Sequence, residues 1–171
     1  MSNYKWNYTL LQPSDLHQKA QRFIEMMDID TSNLKLIHLT PCPDGKFIKS
    51  FDKLEERTQN NQWAAVAEFE AIYFFTDYTK VKTAIHELTH IYFSQSRIFN
   101  GINYDLKAMA VNFIAQHGLM ALTNYAQFNL YEDEWEEVIC EIVATYGRRG
   151  QFNKIKELFN FQTTSIKNGG I

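Results

Sequence analysis

Apolar residues recur at the three-and-four spacing of a helix face in Leu16, Ala20, Phe23, Ile24 and Met27, and Ser14 or Asp15 stands where such a helix needs its cap. Asp28 to Asn33 break the pattern. Leu34 to Thr40 reads as a short strand, ended by Pro41-Cys-Pro-Asp-Gly, in which Asp44-Gly45 supplies a tight bend. Lys46 to Phe51 reads as a returning strand and Glu55 to Asn61 as a solvated stretch. Trp63 to Phe75 reads as strand throughout, on the strength of Ala71-Ile-Tyr-Phe-Phe. Asp77 or Thr79 then caps a helix from about Lys80 to Gln95, and Ser96 to Asn103, with Asn100-Gly101, forms a loop. Helices follow over Tyr104 to about Leu122 and over Glu132 to Tyr146, the latter acidic in its first turns and with Gly147 near its end. A short helix at Asn153–Phe159 precedes a polar tail, 163–171. These elements predict an α+β fold over residues 1–162: a small, mostly antiparallel sheet packed on the helix 80–95, then a helical carboxyl-terminal half.

Composition narrows the classes. With 171 residues and no repeat or linker, one domain is expected. Thirteen Phe, nine Tyr and three Trp against seven Gly and three Pro exclude disorder for most of the chain. A net charge of −3 without a basic block leaves no electrostatic footprint for nucleic acid. The amino terminus lacks a secretory pattern, and no window approaches the roughly 18–20 apolar residues of a membrane span, so a soluble, cytoplasmic protein is expected. Cys42 and Cys140 are too far apart in sequence for a CxxC knuckle. Cys42, between two prolines, reads as an inert loop thiol and Cys140 as a small buried apolar residue.

The helix 80–95 contains His86-Glu87-Leu88-Thr89-His90, a match to His-Glu-x-x-His that arises by chance roughly 0.01 times in a chain of this composition. Residues four apart on a helix stack one turn above each other, about 5–6 Å between Cβ atoms, so His86 and His90 can reach one Zn²⁺ at about 2.0–2.1 Å each. Glu87 projects about 100° away, beside the metal, where a carboxylate can take a proton from water. Val81, Ala84, Ile85, Leu88 and Ile91 form the opposite, apolar face. A third ligand is required. Ser96, six residues after His90, and Phe93 do not supply a metzincin-type third histidine or its glycine, and His117 reads as a helix-surface residue. On the helix 132–146, Glu137 and Glu141 lie one turn apart. One can bind the metal while the other holds an imidazole by its remaining N–H; without a metal they would be a solvated acidic face.

His86-Glu-Leu-Thr-His90 followed by Glu136-Glu-Val-Ile-Cys-Glu141 resembles the gluzincin-type zinc metallopeptidases of the ImmA/IrrE group and the metallopeptidase domain of ArdC-type antirestriction proteins. The resemblance covers about residues 70–150. It implies a minimal zincin-like fold with Zn²⁺ as cofactor, His86, His90 and Glu137 as ligands, and Glu141 as a supporting or alternative ligand. The 46 residues between His90 and Glu137 exceed the spacing of short ImmA/IrrE cores, which leaves Glu137 and Glu141 both open.

The expected activity is hydrolysis of a peptide bond in a protein or peptide substrate, by a metal-activated water with Glu87 as general base, in an intracellular regulatory protease. Tyr146, Arg97 and His117 are the candidate donors to the transition-state oxyanion. The competing expectation is a non-catalytic regulatory or binding protein on the same scaffold, with a structural or sensory metal. The glutamate at position 87, which such a protein does not need, weighs against it.

Overall fold

The alternation of apolar side chains in Leu36, Ile37 and Leu39 sends Leu36 to one side of a sheet and the other two to the opposite side, and the sheet is covered accordingly. The computed structural model describes residues 6–41, 65–68, 70–102, 104–117 and 132–169. Within them four strands form one mixed sheet: β1 (Trp6–Leu11), β2 (Lys35–Pro41), β3 (Ala65–Glu68) and β4 (Ala71–Phe74), in the order β1-β2-β4-β3. β1 pairs antiparallel with β2, β2 parallel with β4, and β4 antiparallel with β3. Leu11, Leu36, Ile72, Phe74 and Ala65 face the helices, while Ile37 and Leu39 gather Val66, Tyr73 and Phe75 on the other face.

Five helices complete the described fold: α1 (Gln18–Met26), α2 (Val81–Asn100), α3 (Leu106–His117), α4 (Glu132–Arg148) and α5 (Phe152–Gly169). The α+β class expected from the sequence is observed, and the small sheet is mostly antiparallel as expected, in two of its three pairings, with β2 and β4 running the same way. α2 buries Ala84, Ile85, Leu88 and Ile91, and Val81 packs against the same core from its edge. α4 lies against α1, α2, α3 and α5, so Ile139, Cys140, Val143 and Ala144 are wholly enclosed.

Several boundaries differ from the sequence reading, each for a local reason. α1 is capped by His17, whose Nδ1 accepts from the Lys19 N–H at 3.1 Å; Asp15 instead closes a single 3₁₀ turn, Pro13–Asp15, by accepting from the Gln12 N–H at 2.7 Å. The segment expected as one strand to Phe75 is instead two antiparallel strands, β3 and β4, with Glu68 paired with Ala71. Asp77 accepts from the Thr79 N–H at 2.9 Å and shapes the turn before α2, whose own N-cap is Lys80. α2 continues to Asn100 through the expected loop and stops at Gly101, which takes φ 62° and lets the Ile102 N–H reach Ser96 O at 3.2 Å. α3 begins after Asp105, which accepts from the Ala108 N–H at 3.0 Å. α5 is longer than expected at both ends, reaching back to the buried Phe152 and on to Gly169 through most of the expected tail. The expected bend at 44–45, strand 46–51 and polar stretch 55–61, the environment of Cys42 and the end of the 104–122 helix lie outside the described residues.

Gly147 stands near the end of α4 as expected, one residue before Arg148, but it does not stop the helix. The left-handed stop is Gly150 at φ 73°, with the Gln151 N–H on Tyr146 O at 2.9 Å. Gly147 is where α4 touches α2: a Cβ there would lie 2.5 Å from Ile85 Cδ1 and 3.3 Å from its Cγ2. Ile85 is fully buried and has little room to turn aside. Gly147→Ala is therefore expected to lower stability by about 1–3 kcal/mol, the usual cost of an added methyl in a packed core. A urea unfolding midpoint equal to that of the parent would show that this contact does not set the approach of the two helices.

Candidate metal centre

α2 presents Lys82, His86, His90 and Arg97 at spacings of four, four and seven residues, which is one stripe of a helix. α4 answers with Glu136, Glu137 and Glu141. Partners succeed each other in opposite order along the two helices, so the helices are antiparallel here. Glu137 spans both imidazoles: its Oε2 is 3.0 Å from His86 Nε2 and its Oε1 is 2.9 Å from His90 Nε2. Each ring is held from behind by another carboxylate. His86 Nδ1 is 3.0 Å from Glu141 Oε1, and His90 Nδ1 is 3.0 Å from Glu136 Oε1. Lys82 Nζ closes one end on Glu141 at 3.1 Å and Arg97 Nη1 the other on Glu136 at 3.2 Å. The result is an unbroken ladder of alternating basic and acidic side chains, Lys82–Glu141–His86–Glu137–His90–Glu136–Arg97.

The ladder tests whether these residues suit a cation. A neutral imidazole has one N–H, and its other nitrogen is an acceptor. If Nδ1 of each ring donates to its rear carboxylate, both Nε2 lone pairs point at the oxygens of Glu137, acceptor against acceptor at 2.9–3.0 Å. That arrangement needs positive charge between the groups, either a metal ion or a second proton on each ring. Burial alone would lower the pKa of His86, but the carboxylates of Glu137 and Glu141 outweigh it and raise it to about 9. His90 is likewise raised against its burial, by contacts with Cys140, Glu136 and Glu137. Glu137 is held far below the usual carboxylate range by hydrogen bonds from the two histidines. Glu141 is lowered to about 2, first by His86 and further by Lys82.

Cys140 lies beneath the rings, fully buried, and its Sγ belongs with a nitrogen of His86 and one of His90 to a set of donor atoms all within 4.8 Å of one another. His86, His90 and Cys140 could hold a metal ion. Burial pushes the Cys140 thiol up to about 12 in the metal-free chain. The sequence reading of Cys140 as a buried residue holds, but its place against His90 adds chemistry that the reading did not include.

In front of the rings is a cleft of about 770 Å³, walled by His86, Glu87 and His90, by Glu137, and by Ala65 and Ala67 of β3. Glu87 is 9% exposed and accepts from the Ala67 backbone N–H. Burial raises its pKa, with the adjacent histidines pulling the other way. A carboxylate so placed is a stronger proton acceptor than one in water.

The structure separates the three candidate oxyanion donors. Arg97 is at the site but committed to Glu136. Tyr146 is buried edge-on against Phe113, with ring centroids 5.7 Å apart, and does not line the cleft. His117, expected on a helix surface, is instead largely enclosed between α3 and α5, its ring 4.3 Å from that of Phe113 and its Nε2 2.9 Å from Glu157 Oε2 without hydrogen-bond alignment. Phe113, one turn earlier on the same helix, brings the ring inward. Glu136 and Lys82 were not singled out in the sequence. Lys82 was signalled by its four-residue spacing from His86, and Glu136 by standing one turn before Cys140 on the face that carries Glu137 and Glu141.

No family model matches the chain, and neither a curated protein nor a solved structure matches it.

Proposed function

We propose that the chain is a zinc-dependent metallopeptidase of gluzincin type, similar in its site to the ImmA/IrrE group, with His86, His90 and Glu137 as ligands and Glu87 as general base. The observation that carries this reading is the placement of two imidazole Nε2 atoms on one carboxylate, while each Nδ1 is occupied by another. Bound zinc supplies Lewis acidity to a water and to the scissile carbonyl. His86 and His90 present their Nε2 atoms, fixed in direction by Glu141 and Glu136. Glu137, more than half exposed, keeps the third donor at the open side of the cleft, where a peptide can approach. Glu87 accepts the proton of the attacking water and returns it to the amine nitrogen as the C–N bond breaks. The substrate is a protein or peptide in the cytoplasm.

One observation favours the competing reading. If Cys140 took the place of Glu137, a sulfur donor at the buried side would suit a structural or sensory metal in a regulatory or binding protein. The exposed, ionised carboxylate already touching both Nε2 atoms is the nearer third donor, and Glu87 in the same cleft has no use in such a protein.

Metal content tests the proposal. Protein purified without chelator and dialysed against zinc is expected to retain one zinc per chain, and retention of none would reject it. Uptake also has a predicted pH dependence. The proton on His86 stabilises the folded metal-free chain fully below its unfolded pKa of 6.5, and that contribution is lost as pH rises through about 9. Zinc must displace this proton and that of His90, so its affinity rises with pH across this window, about tenfold per pH unit for each proton displaced. Chelator competition at several pH values checks this, and a flat profile would mean that the rings carry no second proton in the metal-free chain.

A further inference from the structure

We propose that Arg97 and Glu136 form the positioning pair of the site, fixing which nitrogen of His90 faces the cleft, and that this end of the ladder contributes more to metal affinity than the Lys82–Glu141 end. The inference rests on the metallopeptidase reading and deepens it. Both oxygens of Glu136 are engaged, Oε1 on His90 Nδ1 at 3.0 Å and Oε2 on Arg97 Nη1 at 3.2 Å. An imidazole with Nδ1–H so held can offer only Nε2 to the cleft. Without the carboxylate, the ring can turn over or exchange tautomers, and either change removes the lone pair from the place where the metal needs it.

The two ends of the ladder are chemically unequal. The Glu136 side chain is 13% exposed and that of Glu141 45%, so the clamp on His90 works in a drier setting, where charge-assisted hydrogen bonds are stronger. Its cation is a planar guanidinium with donors in a fixed fork, whereas Lys82 is a point charge on a flexible stem. Arg97 is also what makes an ionised Glu136 tolerable in that setting, since a buried carboxylate without a charged partner is costly. Two turns of α2 separate Arg97 from His90, so one rigid helix carries both the ligand and the group that steadies its holder.

Zinc affinity at fixed pH, measured by competition with a chromophoric chelator, tests the ranking. Glu136→Ala is expected to weaken binding by about 100-fold and Glu141→Ala by about tenfold, the two ends of the usual range for a residue that orients a ligand. Glu136→Gln, whose amide oxygen still accepts from Nδ1–H, should recover part of the loss. Arg97→Met, a change at a partly exposed side chain, keeps the test open if Glu136→Ala does not fold, and should weaken binding by about tenfold. In the Co²⁺-loaded wild type, two exchangeable imidazole N–H protons should appear as shifted NMR resonances, and Arg97→Met should speed the exchange of the one from His90 alone. If Glu141→Ala weakens binding as much as Glu136→Ala, the ranking of the two ends is wrong; if Glu136→Ala lowers only the unfolding midpoint of the metal-free chain, the pair does not position His90. Failure of the wild type itself to bind zinc would instead overturn the metallopeptidase reading.

Discussion

Glu87→Gln is expected to keep its zinc and to lose hydrolysis by a factor of about 10²–10⁴, the usual contribution of a positioned general base. Glutamine preserves the shape of the side chain and an oxygen for the Ala67 N–H, so the cleft wall stays in place. What disappears is the ability to take a proton. The substitution also removes a carboxylate that burial disfavours, so the variant should unfold no earlier than the parent. Lost activity together with unchanged zinc content and undiminished stability separates a chemical role from a structural one. The assay is cleavage of a pool of fluorogenic peptides by the zinc-loaded protein, with metal measured on the same sample. Cleavage at the parent's rate would take Glu87 out of the reaction.

The second large effect is expected at position 137. Glu137→Ala removes the one carboxylate shared by both Nε2 atoms and should cost well over the roughly 100-fold that loss of an orienting neighbour costs. Glu141→Ala should cost about tenfold, because Glu141 meets only the rear nitrogen of His86 among the ring atoms and does so half exposed to water. Elemental analysis after exhaustive dialysis distinguishes the two. Zinc retained by Glu137→Ala and lost by Glu141→Ala would move the third ligand one turn along α4. Zinc retained by Glu137→Ala and lost by Cys140→Ser would assign that position to sulfur.

How much of this was legible in the sequence follows from how local each signal is. The stacking of His86 on His90 and of Glu137 below Glu141 depends only on helix geometry, and both pairs are found where the spacing puts them. The apolar back of α2 was visible for the same reason. The 65–74 hairpin was not, because Glu68-Phe69-Glu70 keeps the polar–apolar alternation of a strand and carries no Gly, Pro or Asn to mark the reversal. The extent of α5 was missed because the sequence from Gln162 to Asn168 is largely polar, with Ile166 alone interrupting it, and carries no apolar period. Glu136 and Lys82 escaped, and Arg97 was given another role, because the partner of each lies on another helix. That pairing depends on the antiparallel register of α2 and α4, which contacts such as Gly147 on Ile85 fix in three dimensions.

The ladder also has a direction. Its Lys82–Glu141 link is about half exposed on both partners, while Glu136 at the other end is mostly enclosed. Mobile ions screen exposed charges within a Debye length of about 8 Å at physiological ionic strength and reach enclosed ones far less. Rising salt therefore loosens the metal-free site from one side. The Lys82 rung weakens first, leaving Glu141 held by His86 alone, while at the other end His90 keeps its enclosed carboxylate.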